Sequence, residues 1–217
     1  MYYLKKACIF LLGILLFPGA CINLKQPSNK IEYYTIEYDA PKLAGLAQLP
    51  YTIKIEPFTM APTYNTTQII YREQSFERDA YAYHKWRINP GNLVTQFLSR
   101  DIRNSGLFKA VISHESGLKP SFTLEGKVEE FFELDASEEW NAVLSLSITL
   151  AEEDKKDIND RFVFQKSYST MEVCEKRHPR ALAAAMSLAM ERLSKEIIKD
   201  IHDCLVEYSP SVKFSSN

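Results

Sequence analysis

Glycine is scarce in this sequence, with only seven residues among 217. The chain has no Gly-x-x-x-x-Gly-Lys-Ser/Thr and no Gly-x-Gly-x-x-Gly motif, the two glycine-rich loops that cradle nucleotide phosphates. It also has no Gly-x-Ser-x-Gly motif, the turn that presents a nucleophilic serine in many hydrolases. These absences argue against a nucleotide-binding protein and against a hydrolase of that type.

Histidine and cysteine are also few, with four residues of each. His84, His114, His178 and His202 lie far apart in the sequence, and no His-x-x-x-His or Cys-x-x-Cys spacing occurs. Because zinc sites usually show such spacings, we expect no metal centre. No recognisable arrangement of nucleophile and base occurs either. The sequence therefore predicts a protein that is not an enzyme and uses no cofactor.

No hydrophobic run in the sequence reaches the length needed to span a bilayer. The apolar run Ala7–Phe17 has 11 residues, whereas a transmembrane helix needs roughly 20. Lys5 and Lys6 precede this run, and the small pair Gly19-Ala20 follows it just before Cys21. A positive start, a short apolar segment and small residues before the cut are typical of a secretory signal peptide. We therefore predict a leader over residues 1–20.

A cysteine directly after the cut is what bacterial lipoprotein processing requires. Cys21 is therefore predicted to carry a covalent N-terminal lipid, although Pro18 stands where such leaders usually have leucine. The alternatives are an ordinary secreted protein or an uncleaved anchor. In enteric bacteria an aspartate after the lipidated cysteine marks retention at the inner membrane, so Ile22 favours the outer membrane. The expected location is the periplasmic face of the cell envelope.

Positive charge is not in excess. The chain has 26 Lys and Arg against 28 Asp and Glu. Loss of Lys5 and Lys6 with the leader leaves 24 basic side chains and changes the formal net charge from −2 to −4. Nucleic-acid-binding domains need a basic surface to displace counterions. Nucleic acid is therefore not an expected partner.

With Cys8 lost in the leader and Cys21 lipidated, Cys174 and Cys204 are the two cysteines left to form a disulfide. The periplasm is oxidising, which favours disulfides. However, Arg180–Glu207 is predicted to be one helix, whose ends would lie roughly 35–40 Å apart. A disulfide needs Cα atoms within about 7 Å. Because the cysteines lie near opposite ends of this helix, we expect no disulfide within the chain.

The apolar patterns predict six to eight strands and two helices, Pro90–Asn104 and Arg180–Glu207. Most strands are joined as hairpins, so we predict an α+β fold with a mainly antiparallel sheet and both helices on one face. The expected organisation is a tether over residues 21–30, a single domain over residues 31–208 and a loose tail over residues 209–217. The predicted strands are Glu32–Tyr38, Pro50–Phe58, Gln68–Arg72, Asp79–Arg87, Leu107–Ser113, Phe122–Phe132, Ala142–Glu152 and Arg161–Thr170.

Aromatic residues are concentrated just ahead of the first helix, at Tyr81, Tyr83 and Trp86, with Phe76 nearby. Regular alternation would place Tyr81 and Tyr83 on one face of a strand and Trp86 on the other. Tyr and Trp are frequent in binding hot spots, which makes the three candidates for partner binding. The alternative is that some of them fill the core beneath the helix at Pro90.

Several short segments occur in a fixed order and spacing across Tyr33–Val111. In this order the chain resembles the ABC-type transport auxiliary lipoprotein family, the PqiC/YmbA-like lipoproteins. The segments are Tyr33–Ile36 soon after a lipidated cysteine, Ile53–Phe58, Gln68–Arg72, Tyr81–Trp86 with Pro90 four residues on, Phe97-Leu98 and Ser105–Val111.

The resemblance implies a lipid-anchored accessory of an envelope lipid transporter that comprises an ATPase, a permease and an MCE-domain protein. The accessory would dock the MCE-domain protein at the outer membrane, with a ring of identical subunits as a further implication. The resemblance carries over one functional residue, Cys21. Tyr81, Tyr83 and Trp86 match a family motif, but whether they bind a partner or pack in the core stays open.

Two other functions fit the same residues. One is an envelope scaffold or assembly lipoprotein that takes no part in transport. The other is a periplasmic module that holds a lipid tail, which would need an apolar pocket of about 300 Å³ or more between sheet and helix.

Overall fold

The computed structural model describes residues 30–73, 75–135 and 139–208. Its contacts divide the chain into Met1–Lys30 and a compact unit, Ile31–Asn217. The predicted leader, Cys21 and the tail over residues 209–217 lie outside the described residues. Within the described part, no helix is both long and apolar enough to cross a membrane.

In the part of the chain that the structure describes, nine strands form one sheet, and two helices both contribute to its core. Single 3₁₀ turns occur at Pro62–Tyr64 and Ile158–Arg161. The helices are α1 (Pro90–Asn104) and α2 (Pro179–Tyr208). The strands are β1 (Glu32–Tyr34), β2 (Leu49–Ile55), β3 (Thr59–Met60), β4 (Gln68–Arg72), β5 (Asp79–Trp86), β6 (Phe108–Ser113), β7 (Phe122–Asp135), β8 (Trp140–Glu152) and β9 (Phe162–Val173).

Strand β7 lies at the centre of the sheet. One of its edges pairs antiparallel with β8, which pairs antiparallel with β9. The other edge is shared in succession by β2, β3 and β4, all parallel to β7. β6 lies outside β2, while β5 and then β1 lie outside β4. Of the described strands, β1, β6 and β9 therefore form the outer edges.

The α+β prediction is confirmed, but the sheet is mixed rather than mainly antiparallel. The predicted hairpins β4–β5 and β8–β9 are present. Five of the eight strand pairs are nevertheless parallel. Parallel partners are far apart in sequence, as with Ile53 beside Phe122, so local patterns give no sign of them.

Helix α1 has the predicted bounds because its end signals are strong. Pro90 occupies the first turn, and the Asn89 side chain accepts a hydrogen bond from the Gly91 amide at 2.9 Å. Just after the helix, Gly106 has φ +67°, the left-handed conformation that commonly ends helices at glycine. Four apolar side chains from α1 are fully buried: Leu93, Val94, Leu98 and Ile102.

Helix α2 begins and ends one residue outside the predicted Arg180–Glu207. Ala183, Ala185 and Ala189 are buried in its first half, where small side chains let the helix approach β8 and β9 closely. Seven larger apolar side chains follow the same stripe and have 0–1% exposure: Leu182, Met186, Met190, Leu193, Ile197, Ile201 and Leu205.

The sheet has an inner face, which the helices cover, and an outer face. In β7, Leu124 and Val128 face inward ahead of a bulge at Glu129. The bulge inserts one residue, so Phe131 and Glu133 face inward after it. Phe132 consequently lies on the outer face, in a small second cluster.

Candidate functional site

A buried carboxylate lies on the inner face near the end of β7. Glu133 has 0% exposure, and its Oε1 accepts a hydrogen bond from the Tyr81 hydroxyl at 2.8 Å. Its Oε2 has no hydrogen-bond partner among the described residues. Burial raises the pKa of Glu133 to about 7, while the Tyr81 hydrogen bond acts in the opposite direction.

A buried thiol, Cys174, lies close enough to Glu133 for the carboxylate charge to affect its pKa. Cys174 follows β9, and its amide donates to the Trp140 carbonyl at 2.7 Å. Burial first, and the charge of Glu133 second, raise the pKa of Cys174 to about 12. The thiol therefore keeps its proton at neutral pH and is a poor nucleophile. Cys174 and Cys204 are both free thiols.

Aromatic and polar rings extend from Glu133 towards the β1 edge. The Tyr81 ring packs against Tyr71, with centroids 4.9 Å apart, and against His84 at 5.7 Å. His84 also contacts Tyr34, whose hydroxyl donates to Glu32 at 2.5 Å. Burial and this carboxylate raise the pKa of Tyr34 to about 12. The pKa values of Tyr34, Tyr71 and Tyr81 are all raised, so these phenols keep their protons. They act as hydrogen-bond donors to carboxylates rather than as an acid–base relay.

The outer face of β1 and β5 carries a different set of side chains. Register pairs Tyr33 of β1 with Lys85 of β5. The Arg87 guanidinium lies 5.5 Å from the centroid of the Tyr33 ring. Tyr33 and Tyr83 are 52% and 46% exposed, and Ile31 is 38% exposed. We call Ile31, Tyr33, Tyr83, Lys85 and Arg87 the β1–β5 outer patch.

The three aromatic residues singled out from the sequence have separate environments. Trp86 is 1% exposed and packs edge-on against Phe131 at 5.1 Å, so it fills the core. Tyr81 faces inward to Glu133, while Tyr83 lies on the outer face. The expected sharing of one face by Tyr81 and Tyr83 is therefore wrong. A register shift in the β4–β5 pair breaks the alternation between them.

Phe76, the fourth aromatic of that group, lies in the β4–β5 turn. It is fully exposed and has φ +69°, a conformation that bulky residues rarely adopt. Glu133 and Tyr33 are the residues that sequence reasoning missed. Tyr33 was part of a predicted strand, and its position just after the tether could have drawn attention to it.

The remaining outer face, towards the start of β7, is polar. Glu129 and Glu130 accept hydrogen bonds from Ser147 at 3.0 Å and from Ser145 at 2.8 Å. An open cavity of about 400 Å³ lies here, lined partly by Glu56, Lys127, Thr149 and Gln165. A second open cavity, of about 450 Å³, is lined by the loop over residues 40–44 with Asn104 and Ser105. Among the described residues, no three metal-ligating side chains come together.

Burial of Glu133 predicts a pH-dependent stability. Its folded-state pKa of about 7 lies above the ordinary value of 4.5, so the folded state retains a proton that the unfolded state loses. The contribution of Glu133 to the free energy of unfolding should therefore be greatest below pH 4.5 and should fall by up to about 3 kcal/mol as the pH rises to about 7. Glu133→Gln should remove this fall and be the more stable protein at pH 8. Urea unfolding of a soluble form that begins at Ile22 measures both effects.

Glu129→Gln is a matched control on the same strand. The Lys127 ammonium lowers the pKa of Glu129, so this substitution should weaken the protein slightly at neutral pH rather than stabilise it. A Glu133→Gln protein that keeps the wild-type fall in stability above pH 4.5 would show that the Glu133 carboxyl is not the group responsible.

Most of the chain matches the sequence model of a known protein family. Residues 34–198 match the model of a family described as the ABC-type transport auxiliary lipoprotein component. This match extends from β1 into α2 and includes Tyr81, Tyr83 and Glu133. None of the curated protein sequences matches the chain.

Solved structures share the fold at low sequence identity. A protein from Xanthomonas campestris assigned to family DUF330 has a TM-score of 0.74 and 16% identity, and the match covers 82% of this chain and 98% of that one. An uncharacterised protein has a TM-score of 0.61 and 11% identity, over 79% and 99% of the two chains. A hypothetical protein from Chlamydia trachomatis has a TM-score of 0.50 and 10% identity, over 72% and 98%.

Proposed function

This chain belongs to the ABC-type transport auxiliary lipoprotein family, and on that premise we propose that it is a non-catalytic, lipid-anchored component of an envelope lipid transport system. In this proposal, Cys21 carries the lipid after removal of residues 1–20. The domain docks an MCE-domain protein of the transporter at the outer membrane.

The observation that carries the proposal is the family match. It begins at residue 34, the last residue of β1, and ends at residue 198, two thirds of the way along α2. The match therefore concerns the whole folded domain and not one motif. A transport auxiliary component works beside an ATPase and a permease, so its own task is to hold other components in place. A folded domain on a short tether is suited to such a task.

The surroundings of the buried reactive groups support a non-catalytic role. Glu133 and Cys174 are 0% and 6% exposed, so a substrate could not reach them without opening the fold. The Cys174 thiol also keeps its proton, because burial raises its pKa to about 12. Both groups act as part of the core rather than as a reaction centre.

Purification of the tagged full-length chain from detergent-solubilised membranes tests the proposal. We expect an MCE-domain protein to copurify, with or without its permease and ATPase, and to be identified by mass spectrometry. A tagged unrelated lipoprotein of the same membrane is the control. Recovery of outer-membrane assembly machinery alone would support the scaffold function and contradict this proposal.

A further inference from the structure

The β1–β5 outer patch is a continuous surface on one side of an edge of the sheet. Tyr33 and Lys85 are register partners, Tyr83 precedes Lys85 by two residues, and Arg87 follows it by two. Residues two apart on a strand share a face, so Ile31 lies with Tyr33 and Arg87 with Lys85. His84 and Trp86 point to the inner face, which leaves Tyr83 and Lys85 on the outer one. The contact between Arg87 and the Tyr33 ring, at 5.5 Å, agrees with this placement.

The chemistry of the patch is aromatic, apolar and basic. Its five residues are one isoleucine, two tyrosines, one lysine and one arginine, with no acidic residue among them. Glu32, the acidic residue of β1, lies on the inner face beside His84. Two further cations lie on the outer face, since the Arg72 and Arg78 guanidinium groups are each 5.1 Å from the centroid of the Phe132 ring. Glu73 and Glu77 carry negative charge in the adjoining turn.

The position of the patch in the chain limits how far it can lie from the lipid anchor. Ile31, the first residue of the patch, lies ten positions after Cys21, with nine residues between them. Even fully extended, ten residues span only about 33–36 Å. Ile31 and the strand that follows it therefore stay within that distance of the lipid anchor.

We propose that the β1–β5 outer patch rests on the phospholipid surface to which Cys21 is anchored, with the Tyr33 and Tyr83 rings among the headgroups. The inference rests on the proposed lipidation of Cys21. Tyrosine rings prefer the membrane interface because one end is apolar and the other polar. Lys85 and Arg87 attract anionic headgroups, a contribution that falls off within a Debye length of the surface. In this proposal the patch sets the orientation of the domain, which a single point of attachment would leave free.

A tryptophan reporter tests this contact in the full-length lipidated protein. Tyr83→Trp is reconstituted into vesicles of equal parts phosphatidylethanolamine and phosphatidylglycerol, with or without bromine on the acyl chains. The native Trp86 and Trp140 are 1% and 9% exposed, so lipid bromine should hardly reach them. We expect brominated lipid to quench the added emission, as for a ring at the boundary of headgroups and acyl chains.

Phe162→Trp is the matched control, because Phe162 is 59% exposed and lies at the start of β9, where it pairs with Ala151 of β8, the partner of Thr123 at the start of β7. Its emission should be unchanged by bromine. Adding Lys85→Glu and Arg87→Glu to Tyr83→Trp should abolish quenching while the protein still floats with the vesicles. Persistence of the quenching in that variant would overturn the assignment.

The outcomes separate this inference from the proposed function. One outcome is a protein that floats with the vesicles while brominated lipid changes neither the Tyr83→Trp nor the Phe162→Trp emission. Such a protein is anchored, and its patch faces something else, such as a second copy of the chain or the transporter. That result overturns the inference alone. A protein that does not float lacks the anchor, which overturns the inference and the proposed function together.

Discussion

Cys21→Ser is expected to abolish acylation of the chain and to remove it from the outer-membrane fraction. The thiol is the only group in the predicted processing site that can accept the lipid, and the cut before residue 21 depends on that modification. Each buried CH₂ of an acyl chain contributes about 0.8 kcal/mol, so the loss of two or three chains removes the lipid anchor. Labelling with a radioactive fatty acid, followed by electrophoresis and density-gradient fractionation, measures acylation, processing and location in one experiment.

Cys8→Ser is the matched control, because Cys8 lies inside the predicted leader and should be lost with it. This variant should incorporate as much label as the wild type and reach the same membrane. Label retained by Cys21→Ser, or lost from Cys8→Ser, would contradict the assignment of residues 1–20 as a lipoprotein leader.

Asp101→Ala is expected to cost about 3 kcal/mol of folding free energy, near the lower end of the range for breaking a buried ion pair. Asp101 is 0% exposed and lies in α1, facing α2. Its Oδ2 accepts hydrogen bonds from Tyr38 at 2.6 Å and from Ser194 at 2.7 Å. Its Oδ1 pairs with the Arg100 guanidinium at 2.7–2.8 Å. This carboxylate thus joins the segment after β1 to both helices.

The cost arises because three donors lose their acceptor. The Arg100 side chain is 32% exposed and stays held by the Tyr38 carbonyl at 2.9 Å, so water compensates part of its loss. Ser194→Ala removes one of the three hydrogen bonds to this carboxylate and should cost about 1 kcal/mol. Urea unfolding of the soluble form measures both. Equal costs for the two substitutions would show that Asp101 does not link the three segments.

The sequence predicted elements whose ends carry strong local signals. Pro90 and Gly106 bound α1 with little ambiguity, and regular alternation identified β8. The parallel strand pairs of the mixed sheet could not be predicted from local signals. Ile53 and Phe122 meet only because β2 lies along an edge of β7, and no residue between them encodes that contact.

Two bulges explain why the candidate site was only partly predicted. In β7, strict alternation from Phe122 would place Glu133 on the outer face, but the bulge at Glu129 turns it into the core. In β5, the register shift separates Tyr81 from Tyr83 and aligns Tyr81 with Trp86 instead. A bulge changes the face of every residue after it, and the sequence gives no reliable sign of where it occurs.

Lysine crosslinking in living cells, with crosslinked residues identified by mass spectrometry, tests the central claim most directly. The account predicts links between an MCE-domain protein and lysines outside the β1–β5 outer patch, such as Lys109, Lys119 or Lys199, and none from Lys85. It would be contradicted by links only to outer-membrane assembly proteins, or by the absence of any link to a transporter component.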